Sequence, residues 1–440
     1  MSNAFRWLLI KESRELLVSR AWWLLLLLMG PLVGVSFISA MRTYAEVSGL
    51  NGTAAGVGEA LSPLIGVWAP TFSACELAAV FLLPFVAIRI VAADRQSGAL
   101  KLELQRGMSP FVRIAAKAIV ALGGWLIAML PPLSAIVLWK LYGGATHAPE
   151  LATLVGGHIL NAGLTIALGT AAASLTEHPS TAAILTLSAT VGTWIVNFVA
   201  AVQGGFWERV AAYTPAAIVA DFQHGLIRLD TVLIALVLTL AGLGVAAVWQ
   251  VLGKREIRRS YESLAIVAIA ALAIAACTFA RASWDTSENR ANSFPLADEL
   301  ALRKIHEPLK IVAHLAPEDP RRSDLEHRAL AKLRRIMNAN LDVQYISTTS
   351  IGLFEQTREG YGEIWYSTSK RSLMSRVTTA EGVLESIYTL TGIEPPKDVD
   401  EAVFRGHPLA SPATGAPAVF YVLWPGVTLL GAFLVRRKFK

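Results

Sequence analysis

The sequence predicts a mainly α-helical membrane protein with about eight transmembrane helices and a small extracytoplasmic α/β domain between the last two. Three observations predict it. Of 440 residues, 54% are hydrophobic and only 16% charged, far from the balance of a soluble domain. The apolar residues gather into runs of about twenty, the length a helix needs to cross roughly 30 Å of hydrocarbon. From Trp284 the pattern changes to short alternating and amphipathic segments, before a last apolar run closes the chain.

The spans fall at about 21–41, 72–93, 116–139, 152–174, 180–203, 231–252, 263–283 and 417–435. Segment 1–20 places Phe5, Leu8, Leu9, Leu16 and Leu17 against Lys11, Glu12, Arg14 and Glu15, the pattern of a helix lying in the inner interface. No cleavable signal peptide is read there. Lys and Arg cluster before the first span, in 94–117, in 253–262 and at the C-terminus, whereas the intervening loops are poor in them. Alternate loops therefore carry the excess, which puts both termini in the cytoplasm and 284–416 outside. Pro31, Pro84 and the Pro131–Pro132 pair punctuate spans, as hinges or as static kinks. Small residues in 160–174 permit close helix packing.

The formal charge of +6 does not indicate nucleic acid, because residues 285–415 hold sixteen Lys+Arg against nineteen Asp+Glu. The basic excess flanks the spans. The two cysteines, Cys75 and Cys277, lie in apolar runs, which argues against a disulfide or thiolate site. In the outer segment, 309–316, 341–346 and 362–367 read as strands and 322–339 and 379–391 as helices. Strand, helix and strand in that order suggest at least one parallel pair. A Pro-rich stretch, 394–417, leads to the last span.

Asp94 to Lys117 form a charge-rich hairpin between two apolar runs, a segment that cannot face lipid. Asp94, Arg95, Ser97, Gly98, Leu100, Leu102, Leu104, Ser109 and Lys117 follow an acidic-Arg-x-Ser-Gly-x-Leu-x-Leu-x-Leu…Ser…Lys pattern. It resembles the first cytoplasmic loop of ABC-2 type transporter permeases, departing at Glu103, Gly107 and Ala116. Pro215, Phe222, Gly225, Ile227, Leu229 and Asp230 resemble the stretch before the last core helix in the gliding-motility and copper-enzyme-maturation branch. There Gly225 would end a short interfacial helix and Asp230 would cap the next. Residues 285–316 and 378–392 and the closing basic span resemble a shortened gliding-motility auxiliary domain.

The resemblance implies a six-helix permease domain over 21–252, a loop and seventh helix over 253–283, the outer domain and linker over 284–416, and an anchor over 417–440. It further implies a bacterial inner-membrane location and a cytosolic ABC ATPase partner that brings ATP and Mg. A second copy of the chain, or a related permease, would complete the assembly, with an extracytoplasmic protein as a further partner. Asp94, Arg95, Gly98, Leu100, Leu102, Glu103, Arg106, Ser109 and Lys117 would form the coupling element, with Asp94, Arg95, Glu103 and Arg106 as polar contacts to the ATPase. The implied function is ATP-driven export; alternatively, ATP turnover works on an outer partner such as a metalloenzyme maturation factor, with nothing crossing the bilayer.

No phosphate-binding loop is present, since Gly253-Lys254 continues with Arg255, so the chain itself would bind no ATP. His306, His314, His327 and His407 lack metal-ligand spacing, and no catalytic constellation is visible. Glu76 and His158, costly in or near spans, are the intramembrane candidates, although Glu76 could equally sit at the outer interface.

Overall fold

The computed structural model describes residues 3–50, 61–96, 98, 108–203, 206–251, 253–316, 319–337, 340–346, 360–396 and 404–439. Two compact units are found. The first comprises Met1–Ile195, Ala212–Thr286 and Arg405–Lys440; the second comprises Val196–Ala211 and Ser287–Phe404.

Among the described residues, eight helices are long and apolar enough to cross a membrane: Arg20–Gly49, Leu64–Asp94, Pro110–Leu141, Ala148–Leu175, Pro179–Ala200, Leu229–Trp249, Glu256–Cys277 and Ala416–Lys438. They match the eight expected runs in order, and most run longer. Helical hydrogen bonding continues past the apolar stretch, as where Arg42 and Glu46 pair at 3.0 Å, one turn apart, beyond the expected end of the first span. The seventh span is displaced from the expected 263–283. It starts at Glu256, running on before the apolar stretch through a turn where Glu262 pairs with Lys254 and Arg258. It ends at Cys277, after which 283–285 form a strand. Pro84 and Pro131 each follow a single-residue break, at Leu82 and Met129, and open a new helical segment. Pro31 sits within an uninterrupted helix.

A helix over Asn3–Val18 precedes the first span. The last span packs on the first through two glycines. A Cβ on Gly30 would lie 2.9 Å from the Phe420 carbonyl oxygen, and one on Gly34 would lie 2.6 Å from Phe420 Cβ. The Trp424 indole N–H donates to the Leu26 carbonyl at 2.6 Å, and Phe37 meets Phe420 edge-on at 6.0 Å. Small residues give two helices this proximity where hydrophobic burial supplies no drive between them. The approach to the last span is tied as well: Tyr44 donates to the His407 carbonyl at 2.7 Å and Leu409 N–H donates to Ser48 at 3.0 Å.

Before the sixth span, a short helix, Pro215–Gln223, starts at Thr214, whose hydroxyl accepts from Ala217 N–H. It stops at Gly225, whose φ of +76° turns the chain into strand β1 (Leu226–Arg228). Strand β2 (Ser283–Asp285) pairs antiparallel with β1, and Thr286 N–H donates to the Gly225 carbonyl at 2.8 Å.

The second unit is the expected small α/β fold with one strand more. Strands β3 (Leu309–Ala313), β4 (Leu341–Tyr345), β5 (Ile364–Ser367) and β6 (Ser372–Ser375) lie in the order β4-β3-β5-β6, with β3 and β4 parallel and the other pairs antiparallel. Alternation carries Leu309, Ile311, Ala313, Ile364 and Tyr366 into a core with Leu325, Leu330, Leu333, Val383 and Ile387. The Ser-Leu-Met-Ser strand lacks that alternation, so only its hairpin partner reveals it. The helix Ala380–Thr391 opens on Thr379 and ends at left-handed Gly392.

Two outcomes follow. Gly30→Ala lowers stability by ~1–3 kcal/mol by overpacking, whereas Gly123→Ala, with nothing within 4 Å, is neutral or stabilising; thermal unfolding of the full chain in detergent compares them. In the second unit, Asp319 caps a helix and binds Arg321 and Tyr361, which holds its carboxyl down to about 2. A depressed carboxyl adds stability above its unfolded value, near 4, and loses it as pH falls toward 2. Asp319→Ala therefore destabilises the second unit by ~1 kcal/mol at neutral pH, and the gap closes between about pH 4 and 2, read by hydrogen exchange over 320–325.

Candidate functional site

The N-terminal helix turns Leu8, Glu12 and Leu16, four residues apart, toward one face, and all three are at most 5% exposed. Glu12 therefore lies inside the apolar stripe, a correction to its expected place on the polar face. Waiting there is Lys117, itself 1% exposed, on a face of the third-span helix that also buries Arg113, Ile114 and Ala121.

The Lys117 ammonium has three protons and three kinds of acceptor. It reaches both Glu12 carboxylate oxygens at 2.8 Å, the Ile90 carbonyl at 3.2 Å, and Asp94. Lys11 closes the other side, 2.6 Å from Asp94 Oδ1 and 3.2 Å from both Glu12 and Glu15. The Glu12, Glu15 and Asp94 carboxylates stand within 4.8 Å of one another, the spacing of a cation site, and the two ammonium groups fill that role. Burial pushes the Glu12 carboxyl above its ordinary value, while Lys117 and Lys11 pull it back. The cluster thus ties together the N-terminal helix, the end of the second span and the start of the third.

Asp94 is 1% exposed, and its carboxylate is taken up by Lys11 and Lys117 of its own chain. A buried charge is stable only when paired, and the nearest partners are the lysines of this chain. Ser109 caps the third-span helix, accepting from Val112 N–H at 3.3 Å. Gly98 is exposed with a φ of +73°. The Arg95 side chain and residues Leu100, Leu102, Glu103 and Arg106 lie outside the described residues.

Against the fourth span, Phe222 fills the space at Gly157, where a Cβ would strike its side chain. Pro215 opens its short helix. Asp230 sits one residue inside the sixth-span helix instead of capping it, accepts from Thr231 N–H at 2.9 Å, and pairs with Arg228 at 2.6 Å. Asp221 lies 3.5 Å from the same guanidinium. His158 is wholly buried against the Phe72 ring at 5.5 Å, and neither ring nitrogen has a hydrogen-bond partner among the described residues. Glu76 is half-buried and lines a small cavity together with Trp194.

Sequence reasoning missed Glu12 and Lys11 as partners of Asp94 and Lys117. The four-residue spacing of Leu8, Glu12 and Leu16 was the available signal. It also missed the Gly30-x-x-x-Gly34 contact, which the spacing alone advertises.

No family model, no curated protein and no solved structure matches this chain.

Lys117→Met leaves Glu12 and Asp94 buried with only Lys11 beside them, and lowers stability by ~3–5 kcal/mol. Adding Glu12→Gln restores a large part of it. Thermal unfolding of both variants against wild type measures the difference; equal melting of the single variant and wild type would count against the cluster.

Proposed function

We propose that the chain is the membrane-spanning permease subunit of an ABC-2 type ATP-driven exporter. It lies in a bacterial inner membrane with both termini in the cytoplasm. Two copies pair with two cytosolic ATPases, which supply the ATP and Mg chemistry. The observation that carries this reading is the buried cluster of Glu12, Asp94, Lys117 and Lys11.

A hairpin that transmits force must not slide against the helices it moves. Here its two flanks, at Asp94 and Lys117, share one ammonium, and the N-terminal helix is fastened to the same point. A push on the hairpin is then delivered to the second and third spans together. Both of those spans are broken, at Leu82 and Met129, just before proline-led segments where the two parts of a helix can change their angle. The hairpin stretch that carries Glu103 and Arg106 supplies the polar contact with the ATPase.

The test is affinity purification of the tagged full chain from its own membranes, with bound protein and ATP hydrolysis measured together. Wild type brings down a cytosolic ATPase. The double variant Glu103→Lys, Arg106→Glu loses at least tenfold of the associated hydrolysis while its melting temperature holds. Wild type that carries no ATPase would overturn the proposal.

A further inference from the structure

A small cavity lies between the second, fourth and fifth spans and the start of the Pro215–Gln223 helix, with Glu76, Asn161, Thr165, Thr190, Thr193 and Trp194 in its lining. These residues come from the middle of helices long enough to span a bilayer, where a carboxylate is costly and calls for a compensating charge. Asn161 is 6% and Thr165 3% exposed, and neither side chain has a hydrogen-bond partner among the described residues. A threonine in a helix ordinarily returns its hydroxyl to a carbonyl one turn back, as Thr190 does to Thr186 at 3.1 Å. Thr165 leaves that bond unmade and turns into the cavity. Thr190 and Thr193 have already given their protons, to the Thr186 and Thr190 carbonyls, so what they offer the cavity is oxygen lone pairs.

We propose that this cavity binds one small monovalent cation, held by the Glu76 carboxylate with the side-chain oxygens of Asn161 and Thr165, and with Thr190 and Thr193 as supporting acceptors. Among the described residues no basic side chain lines the space, so the Glu76 charge has no counter-charge within it. The free interior is about 10 Å3, room for one water-sized species and too little for an organic cation. A single carboxylate is too little charge for a divalent ion stripped of its waters. A bound cation would answer the Glu76 charge and the Asn161 and Thr165 oxygens together, where a water answers only the oxygens. The site stands on these side chains alone, and holds whether or not an ATPase binds the chain.

Equilibrium binding of 22Na+ and, separately, 86Rb+ to the purified full chain in detergent tests it. One of the two ions binds saturably at one per chain and is displaced by its unlabelled form but not by N-methylglucamine. Glu76→Gln weakens that binding at least tenfold. Thr165→Val, which keeps shape and removes the hydroxyl, weakens it several-fold with the melting temperature unchanged. Absence of saturable binding of either ion to folded wild type would overturn the site, leaving a buried water or a protonated Glu76 in its place. Binding that survives both substitutions would overturn it equally.

Discussion

One ammonium group governs the end of the bundle where the first and third spans begin and the second ends. Lys117 is enclosed within the bundle, and an enclosed charge persists only with its counter-charges at hand. That requirement draws in Glu12 from the N-terminal helix and Asp94 from the second span, and Lys11 then balances the excess of carboxylate. The helix from Asn3 to Val18 is short and only weakly amphipathic, so apolar contact alone would leave it free to drift along a membrane surface. The cluster fixes its rotation and its position along its axis together.

The rest of the bundle is set by close backbone approach more than by charge. Gly30 and Gly34 admit Phe420 and Trp424, and Gly157 admits Phe222, so the final span and the short helix at Pro215 rest where a side chain has been withheld. Aromatic rings finish the joints, with Tyr44, Trp68 and Trp139 meeting edge to face at 5.5 and 5.7 Å. Polar termini are then closed by single hydrogen bonds, such as Tyr44 to His407 and Thr286 to Gly225. Ion cluster, glycine contacts and caps act at different levels of the bundle, and each positions a segment that local propensity leaves undecided.

Much of the candidate site was legible, but not the contacts its residues make. The charged hairpin marked Asp94 and Lys117 as residues of consequence, and the cost of a carboxylate in a span marked Glu76. What was not legible was that Asp94 and Lys117 face inward. Their partner Glu12 is 105 positions from Lys117, and nothing local to either residue announces the other. For Glu76, the companions Asn161, Thr165 and Thr190 lie on two other helices and look unremarkable in sequence, since threonine in a span commonly satisfies itself.

The sequence by itself determined the number and order of the apolar helices and the strand-helix-strand core of the second unit. Hydropathy and its period are properties of neighbouring residues, so they survive without a fold. Only the tertiary structure decided where the seventh helix stops, that Ser372–Ser375 is a strand, and which charges are buried. Each of these depends on a partner far along the chain: β1 for Ser283–Asp285, β5 for Ser372–Ser375, and Glu12 for Lys117. Pairing energy is gained only on contact, and contact is what a linear pattern does not contain.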